Sequence, residues 1–337
     1  MTEALDDTPL RIAFAGAGVI SVFHLTGWAH TPNVEVVAVC DPVLEKAHAR
    51  ANEFGIPRVY ADFTEMLERE RPDAVDIATP VGTHAALVRI AADHGVHVMC
   101  QKPMTPTVAE AEALVRDVGE RVRFMVHENF RFRPHYLEAR KWIAEGRLGE
   151  IRQARLTVRS GGMLSVAGET PALLRRQPYL QGFPRLIIFE LLIHHLDVLR
   201  TLLGPLTVSS IQIAKVNPGL AGEDVAVIVL SGKDQLTCVL DGNMSAAGYP
   251  AISVDRLEVM GSVGTLLFDT DRLFLVGSGE PAITYDLQKD YQFCFTRAIG
   301  EFVHGLRTGA PFPTDRLDNL ETLTLMESCY VAAGVRA

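Results

Sequence analysis

Glu190, His194 and Asp197 stand in the segment FELLIHHLDVLR at spacings of i, i+4 and i+7. On a helix that spacing stacks all three on one face. The surrounding residues are apolar almost all the way round, so two carboxylates and an imidazole are withdrawn from bulk water. Such groups are costly to bury unless they are paired or used. Proton transfer needs them held in that way. A polar stripe that meets other buried polar groups, without chemistry, is the alternative for the same pattern. A second candidate is Lys102, in Cys100-Gln101-Lys102-Pro103. It follows an apolar strand, where a lysine partly withdrawn from water can exchange a proton with a substrate hydroxyl. Pro103 fixes the backbone there, and an X-Pro bond can be cis. A surface lysine at a strand end is the alternative.

These groups need a scaffold. The first third of the chain alternates short β-branched runs (RIAFAG, VEVVAVC, RVY, AVDIAT, VHVMC, VRFMVHE) with amphipathic helical segments. That alternation predicts a doubly wound parallel sheet. After about Phe124 the pattern changes. Helices are expected near Pro134 to Glu145 and Arg185 to Leu203, with period-two runs around them. Those runs are EIRQARLTVRS, LTVSSIQIAKV, EDVAVIVLS, DQLTCVLDG, VDRLEVMG and GTLLF, with hairpin turns at SGKD and GSVG. They predict an α+β domain with a large, mostly antiparallel open sheet. Helices near Gln292 to Leu306 and Asp315 to Ala333 close the chain. The expected division is a dinucleotide-binding domain over 1–124 and a substrate-binding and oligomerisation domain over 125–337. An open sheet face suits pairing with a second subunit, so a homodimer or homotetramer is expected.

The first strand runs into Gly16-Ala17-Gly18-Val19-Ile20-Ser21. Glycines there permit a tight turn and let backbone N–H groups approach a pyrophosphate at a helix N-terminus. Asp41 ends the second strand, 23 residues after Gly18. It is placed to accept bonds from a ribose and to repel a 2′-phosphate, which favours NAD over NADP. A helix N-cap is its other reading. Thr79 and Pro80 end the fourth strand, and His84 follows in the next helix as a cofactor neighbour or a solvent-facing cap.

The net charge of -9 argues against nucleic acid or an anionic membrane as partner. No run approaches the roughly 18 apolar residues of a membrane span, and the acidic opening MTEALDDTPL does not read as a secretory signal. Five scattered cysteines give no zinc pattern and suggest buried free thiols in the cytoplasm. No metal site is expected.

Taken in order, Gly16-x-Gly18, Asp41, Thr79-Pro80, Gln101-Lys102-Pro103 and Glu190-x-x-x-His194-x-x-Asp197 resemble the Gfo/Idh/MocA family over nearly the whole chain. The resemblance implies an NAD-dependent oxidoreductase acting on a sugar or polyol hydroxyl, or the matching carbonyl. It makes Lys102 and His194 the proton-handling pair and puts Glu190 where the family usually has aspartate. Asp197 then matches the later, more often structural acid. Gly16, Gly18, Val19, Ile20, Asp41, Thr79, Pro80, His84, Gln101, Lys102 and Asn129 (in HENFRF) form the expected cofactor set. Three departures stand out. Gln101 replaces a glutamate and removes a negative charge beside Lys102. Leu192 replaces a glycine and makes the helix bulkier. Glu190 is one methylene longer than aspartate.

Arg155, Thr157 and Arg159 share one strand face. Arg155 and Arg159 are candidates for binding an anionic or polyhydroxylated substrate, a solvated or subunit-facing sheet being the alternative. Gln177 and Tyr179 are expected on a loop forming a lid or substrate wall, with Tyr179 touching substrate. His195, about 100° round the helix from His194, reads as structural, and His127 as either. A glycosidase using bound NAD for transient oxidation and elimination, and a non-catalytic NAD-binding sensor, are the rival functions.

Overall fold

The computed structural model describes residues 8–166 and 168–335. Most of the acidic opening stretch, residues 1–7, lies outside them. The chain forms two compact units, Met1–Phe132 with Tyr291–Leu323, and Arg133–Asp290 with Thr324–Ala337.

In the first unit, β1 (Leu10–Ala15) leads to α1 (Ser21–Ala29) and β2 (Val34–Cys40) to α2 (Leu44–Phe54). β3 (Val59–Tyr60) leads to α3 (Phe63–Glu70), β4 (Ala74–Ile77) to α4 (Val81–Asp93) and β5 (His97–Gln101) to α5 (Val108–Val118), before β6 (Phe124–His127). All pairings are parallel, in the order β3-β2-β1-β4-β5-β6. This is the Rossmann order, and it reverses direction between β1 and β4. The central strands are buried on both faces, which is why they read as unbroken apolar runs. Ile12, Phe14, Val37, Val39, Val75, Ile77 and Val98 are fully buried.

The second unit opens with α6 (Pro134–Ala144), β7 (Ile151–Arg159) and α7 (Ala172–Arg176). A 3₁₀ turn, Pro178–Gly182, and a π-helical segment, Ile187–Leu192, then run into α8 (Ile193–Leu203). The strands β8 (Thr207–Ala214), β9 (Val225–Ser231), β10 (Thr237–Asn243), β11 (Val254–Gly261), β12 (Thr265–Asp269), β13 (Arg272–Leu275) and β14 (Ile283–Thr284) follow. The sheet order is β14-β13-β12-β11-β7-β10-β9-β8. Every pairing is antiparallel except β7 with β10. SGKD joins β9 to β10 and GSVG joins β11 to β12, as the turn residues predict.

Finally come α9 (Leu287–Thr308) and α10 (Arg316–Ala332). Within the first unit α9 packs on α1 at Gly27, where a Cβ would lie 2.6 Å from Ile299 Cδ1. An expected cut after residue 124 would remove β6 from the sheet it pairs with. The first unit instead continues to Phe132 and regains Tyr291–Leu323, whose Phe295, Ile299 and Phe302 are buried. All five cysteines are free and buried, as expected.

Candidate active site

In a parallel sheet the carboxyl ends of all strands share one edge. Gly16 follows β1, Asp41 follows β2, Thr79 lies just past β4, and Lys102 follows β5. The topology therefore brings four residues from distant sequence positions to one edge, at the crevice where strand order reverses.

The glycine loop meets two separate demands. Gly16 has φ +103°, and a Cβ there would sit 2.4 Å from the Ala78 carbonyl oxygen. Fold geometry alone thus requires glycine. Gly18 is exposed, and a Cβ there would meet nothing within 4 Å. Packing does not require this glycine. The open space beside its backbone is the room a pyrophosphate needs, and so the loop fits a dinucleotide. Val19 beside it is half exposed, and Ile20 is the N-cap of α1.

Asp41 ties the loop to the end of β2. Its Oδ2 accepts from Ala17 N–H at 2.8 Å, and its Oδ1 from Val43 N–H at 2.8 Å. It is not the N-cap of α2, which is Val43. His84 is buried rather than solvent-facing. Its Nδ1 lies 2.9 Å from the Pro103 carbonyl oxygen and its Nε2 2.8 Å from that of Thr79. Burial lowers its pKa below the usual imidazole value, against the raising effect of the carbonyls, and Lys102's charge adds to the lowering. The neutral ring carries one N–H, so His84 donates to one of these two carbonyls, beside the ends of β4 and β5. Thr79 Oγ1 bonds Thr83 Oγ1 at 2.7 Å, while Pro80 is the exposed N-cap of α4.

Lys102 is half buried, and the Lys102–Pro103 bond is cis. Gln101 folds back so that its Oε1 accepts from Lys102 N–H at 2.6 Å. Its Nε2 lies 3.1 Å from His24 Nε2, and His24 Nδ1 lies 2.8 Å from Asp76 Oδ2. Neither His24 nor Asp76 was singled out by sequence reasoning. The signal was present, since Asp76 is a carboxylate in the middle of a fully buried strand, AVDI. Asn129 is buried and donates to Cys294 Sγ at 3.2 Å. The His127 ring packs 4.2 Å from that of His24.

In the second unit the Glu190–His194–Asp197 stripe does not lie on one continuous α-helix. Glu190 sits in the π-helical segment, which winds more widely than α8. His194 and Asp197 are buried on α8, while Glu190 is half buried. Leu192 fills space left by Gly242 of β10, where a Cβ would lie 2.8 Å from both Leu192 methyls. Tyr179 is 53% exposed and sits on a 3₁₀ turn rather than a loop. Desolvation and the Glu190 carboxylate push its phenol up to about 12.

Arg155 departs from expectation. It alternates with Ala154 and Leu156, and Val158 of that buried face pairs with Gly242, which packs under Leu192. Arg155 is thus exposed on the sheet face opposite the helix that bears His194. It fits the solvated or subunit-facing alternative and leaves the substrate set. Arg159 is ion-paired with Asp241. His195 is structural, its Nε2 lying 3.2 Å from Asp255 Oδ1. Burial would raise Asp255, but His195, Arg133 and Tyr136 outweigh it and hold the carboxyl below the usual range.

Comparison with known proteins gives the family. Residues 10–128 match the model described as oxidoreductase family, NAD-binding Rossmann fold, and residues 136–267 match the GFO/IDH/MocA C-terminal domain. The chain is 33% identical to a D-apiose dehydrogenase of Paraburkholderia graminis, covering 95% of this chain and 87% of that one. It is 26% identical to an inositol 2-dehydrogenase of Rhizobium meliloti, over 95% of each. A solved oxidoreductase from Agrobacterium radiobacter, in complex with NAD+, L-tartaric acid and magnesium, superposes with a TM-score of 0.89. It is 29% identical and covers 97% of both chains. The chain belongs to the Gfo/Idh/MocA family of oxidoreductases, as a dehydrogenase with an NAD-binding Rossmann domain. No helix among the described residues is long and apolar enough to cross a membrane.

Proposed function

We propose that this chain oxidises a hydroxyl of a sugar or polyol, or reduces the matching carbonyl, with NAD as its redox partner. The observation that carries the reading is the shared edge of the first sheet, where Gly18 leaves open backbone, Asp41 presents a carboxylate and Lys102 presents an amine. Asp41 then takes the ribose hydroxyls with the carboxylate lone pairs not used by Ala17 and Val43, and it repels a 2′-phosphate. Bound NAD supplies the hydride acceptor. The remaining work falls to the chain. His194 removes the hydroxyl proton as general base, its ring type being suited to neutral pH. Lys102 holds and polarises the hydroxyl oxygen. Glu190 and Tyr179 contact the substrate. The exposed face of the second sheet, with Arg155 on it, pairs with another subunit to give a homodimer or homotetramer.

The reading is tested with aldoses, polyols and inositols, D-apiose and myo-inositol among them, each offered with NAD and with NADP. NADH absorbance should rise with at least one compound, and NADP should serve poorly. Cleavage of a glycoside without net NADH would replace this reading with the eliminating glycosidase. NAD binding with no turnover of any kind would favour the sensor.

A further inference from the structure

The side chains beneath Lys102 form a hydrogen-bond chain whose direction is set at the Lys102 end. At one end is the Lys102 backbone N–H, which can only donate. The Gln101 atom that meets it at 2.6 Å is therefore Oε1. The other Gln101 atom is then the amide nitrogen, which also only donates, and it faces His24 Nε2 at 3.1 Å. His24 Nε2 must accept, so the ring proton sits on Nδ1 and points at Asp76 Oδ2, 2.8 Å away. At the far end Trp28 Nε1–H, another obligate donor, reaches the same Asp76 oxygen at 2.7 Å. The Lys102 donor thus fixes the direction: Gln101 accepts from Lys102, His24 accepts from Gln101, and Asp76 accepts from His24 and, independently, from Trp28. His24 and Asp76 are fully shielded, Trp28 is 1% exposed and Gln101 8%, so water does not compete for these bonds. On the other side of Lys102, His84 Nδ1 lies 2.9 Å from the Pro103 carbonyl oxygen.

We propose that Asp76, His24 and Gln101 are positioning residues, a one-way hydrogen-bond chain that fixes the peptide from which the Lys102 side chain springs. The inference rests on the dehydrogenase reading only for the use made of Lys102. It also assigns a consequence to glutamine at position 101. A glutamate there would offer His24 a second acceptor, and the ring would need protons on both nitrogens.

The test is long-range ¹H–¹⁵N NMR of histidine-labelled protein, with His24 assigned by substitution, alongside the Lys102 backbone amide signal. Wild-type His24 should show the Nδ1–H tautomer, and Gln101→Glu should convert it to the doubly protonated ring. His24→Phe keeps a flat ring but neither bond, and it should move the Lys102 amide signal. His24→Gln can still accept from Gln101 and should move it less. Where a panel sugar is turned over, H24F should lower kcat about ten-fold or more, with NAD affinity held and H24Q recovering part of the loss. An Nε2–H tautomer in the wild type, or an unmoved Lys102 amide in H24F, overturns the proposal. These signals need no turnover and no folded variant beyond those named, and Q101E decides the matter should H24F fail to fold. An enzyme that oxidises sugars with unchanged kcat in H24F would discard the positioning role and leave the dehydrogenase standing. A correct tautomer and a moved amide in a protein that oxidises nothing would do the reverse.

Discussion

The two loop glycines carry different burdens, and substitution should separate them. Gly16→Ala forces a Cβ to within 2.4 Å of a backbone oxygen at φ +103°, so folding stability should fall by more than about 1 kcal/mol in thermal unfolding. Gly18→Ala meets nothing within 4 Å, and its apo stability should stay within about 0.5 kcal/mol of the parent. Its added methyl occupies space assigned to the pyrophosphate, so NAD affinity by calorimetry should drop at least ~10-fold. A Gly18→Ala variant that binds NAD normally would remove the phosphate from this loop. Asp41 shows how one carboxylate serves packing and recognition together, since both of its oxygens already hold backbone N–H groups.

At the scale of elements, the bulky Leu192 is matched by Gly242 on β10. Leu192→Ala should therefore leave a cavity over the sheet and cost about 2–5 kcal/mol in denaturant unfolding. Gly242→Ala should cost about 1–3 kcal/mol by overpacking. If both changes proved neutral, the π-helical segment would not be held as described. The parallel strands of the first unit were legible because burial on both faces writes unbroken apolar runs. The runs from β7 to β12 were legible from their period of two. β13 and β14 were not, being four and two residues long, too short to establish a period. The widening of the helix at Ile187–Leu192 was also hidden, because a single π turn leaves an apolar sequence unchanged. The candidate groups at the first sheet's edge were legible through their position after strands. The buried support was missed because Asp76 and His24 act through partners 48 to 77 residues distant. Arg155 was misread because period two reveals that a face exists and not which face the helix covers.

For the molecule as a whole, buried histidines should make folding sensitive to acid. Burial, helped by Arg133 and His195, takes His135 down to about 3, and burial also lowers His84. Between the ordinary imidazole value and these lowered values the unfolded chain binds a proton that the folded chain refuses. Stability is therefore full above about pH 6.5 and falls as pH drops, by up to about 1.4 kcal/mol per pH unit for each such histidine. Asp255, held below the usual carboxylate range, adds a loss of the same sign at lower pH. Urea unfolding from pH 7 to pH 4 should show this decline, and a flat profile would contradict it. The two groups proposed to handle the proton are Lys102, in the first unit, and His194, in the second. The most direct measurement is turnover of the best panel sugar by Lys102→Met and by His194→Asn, with NAD affinity recorded for each. His194→Asn should bind NAD as the parent does, and each variant should lose roughly 10²- to 10⁴-fold in kcat. Parental kcat in either variant would contradict the account.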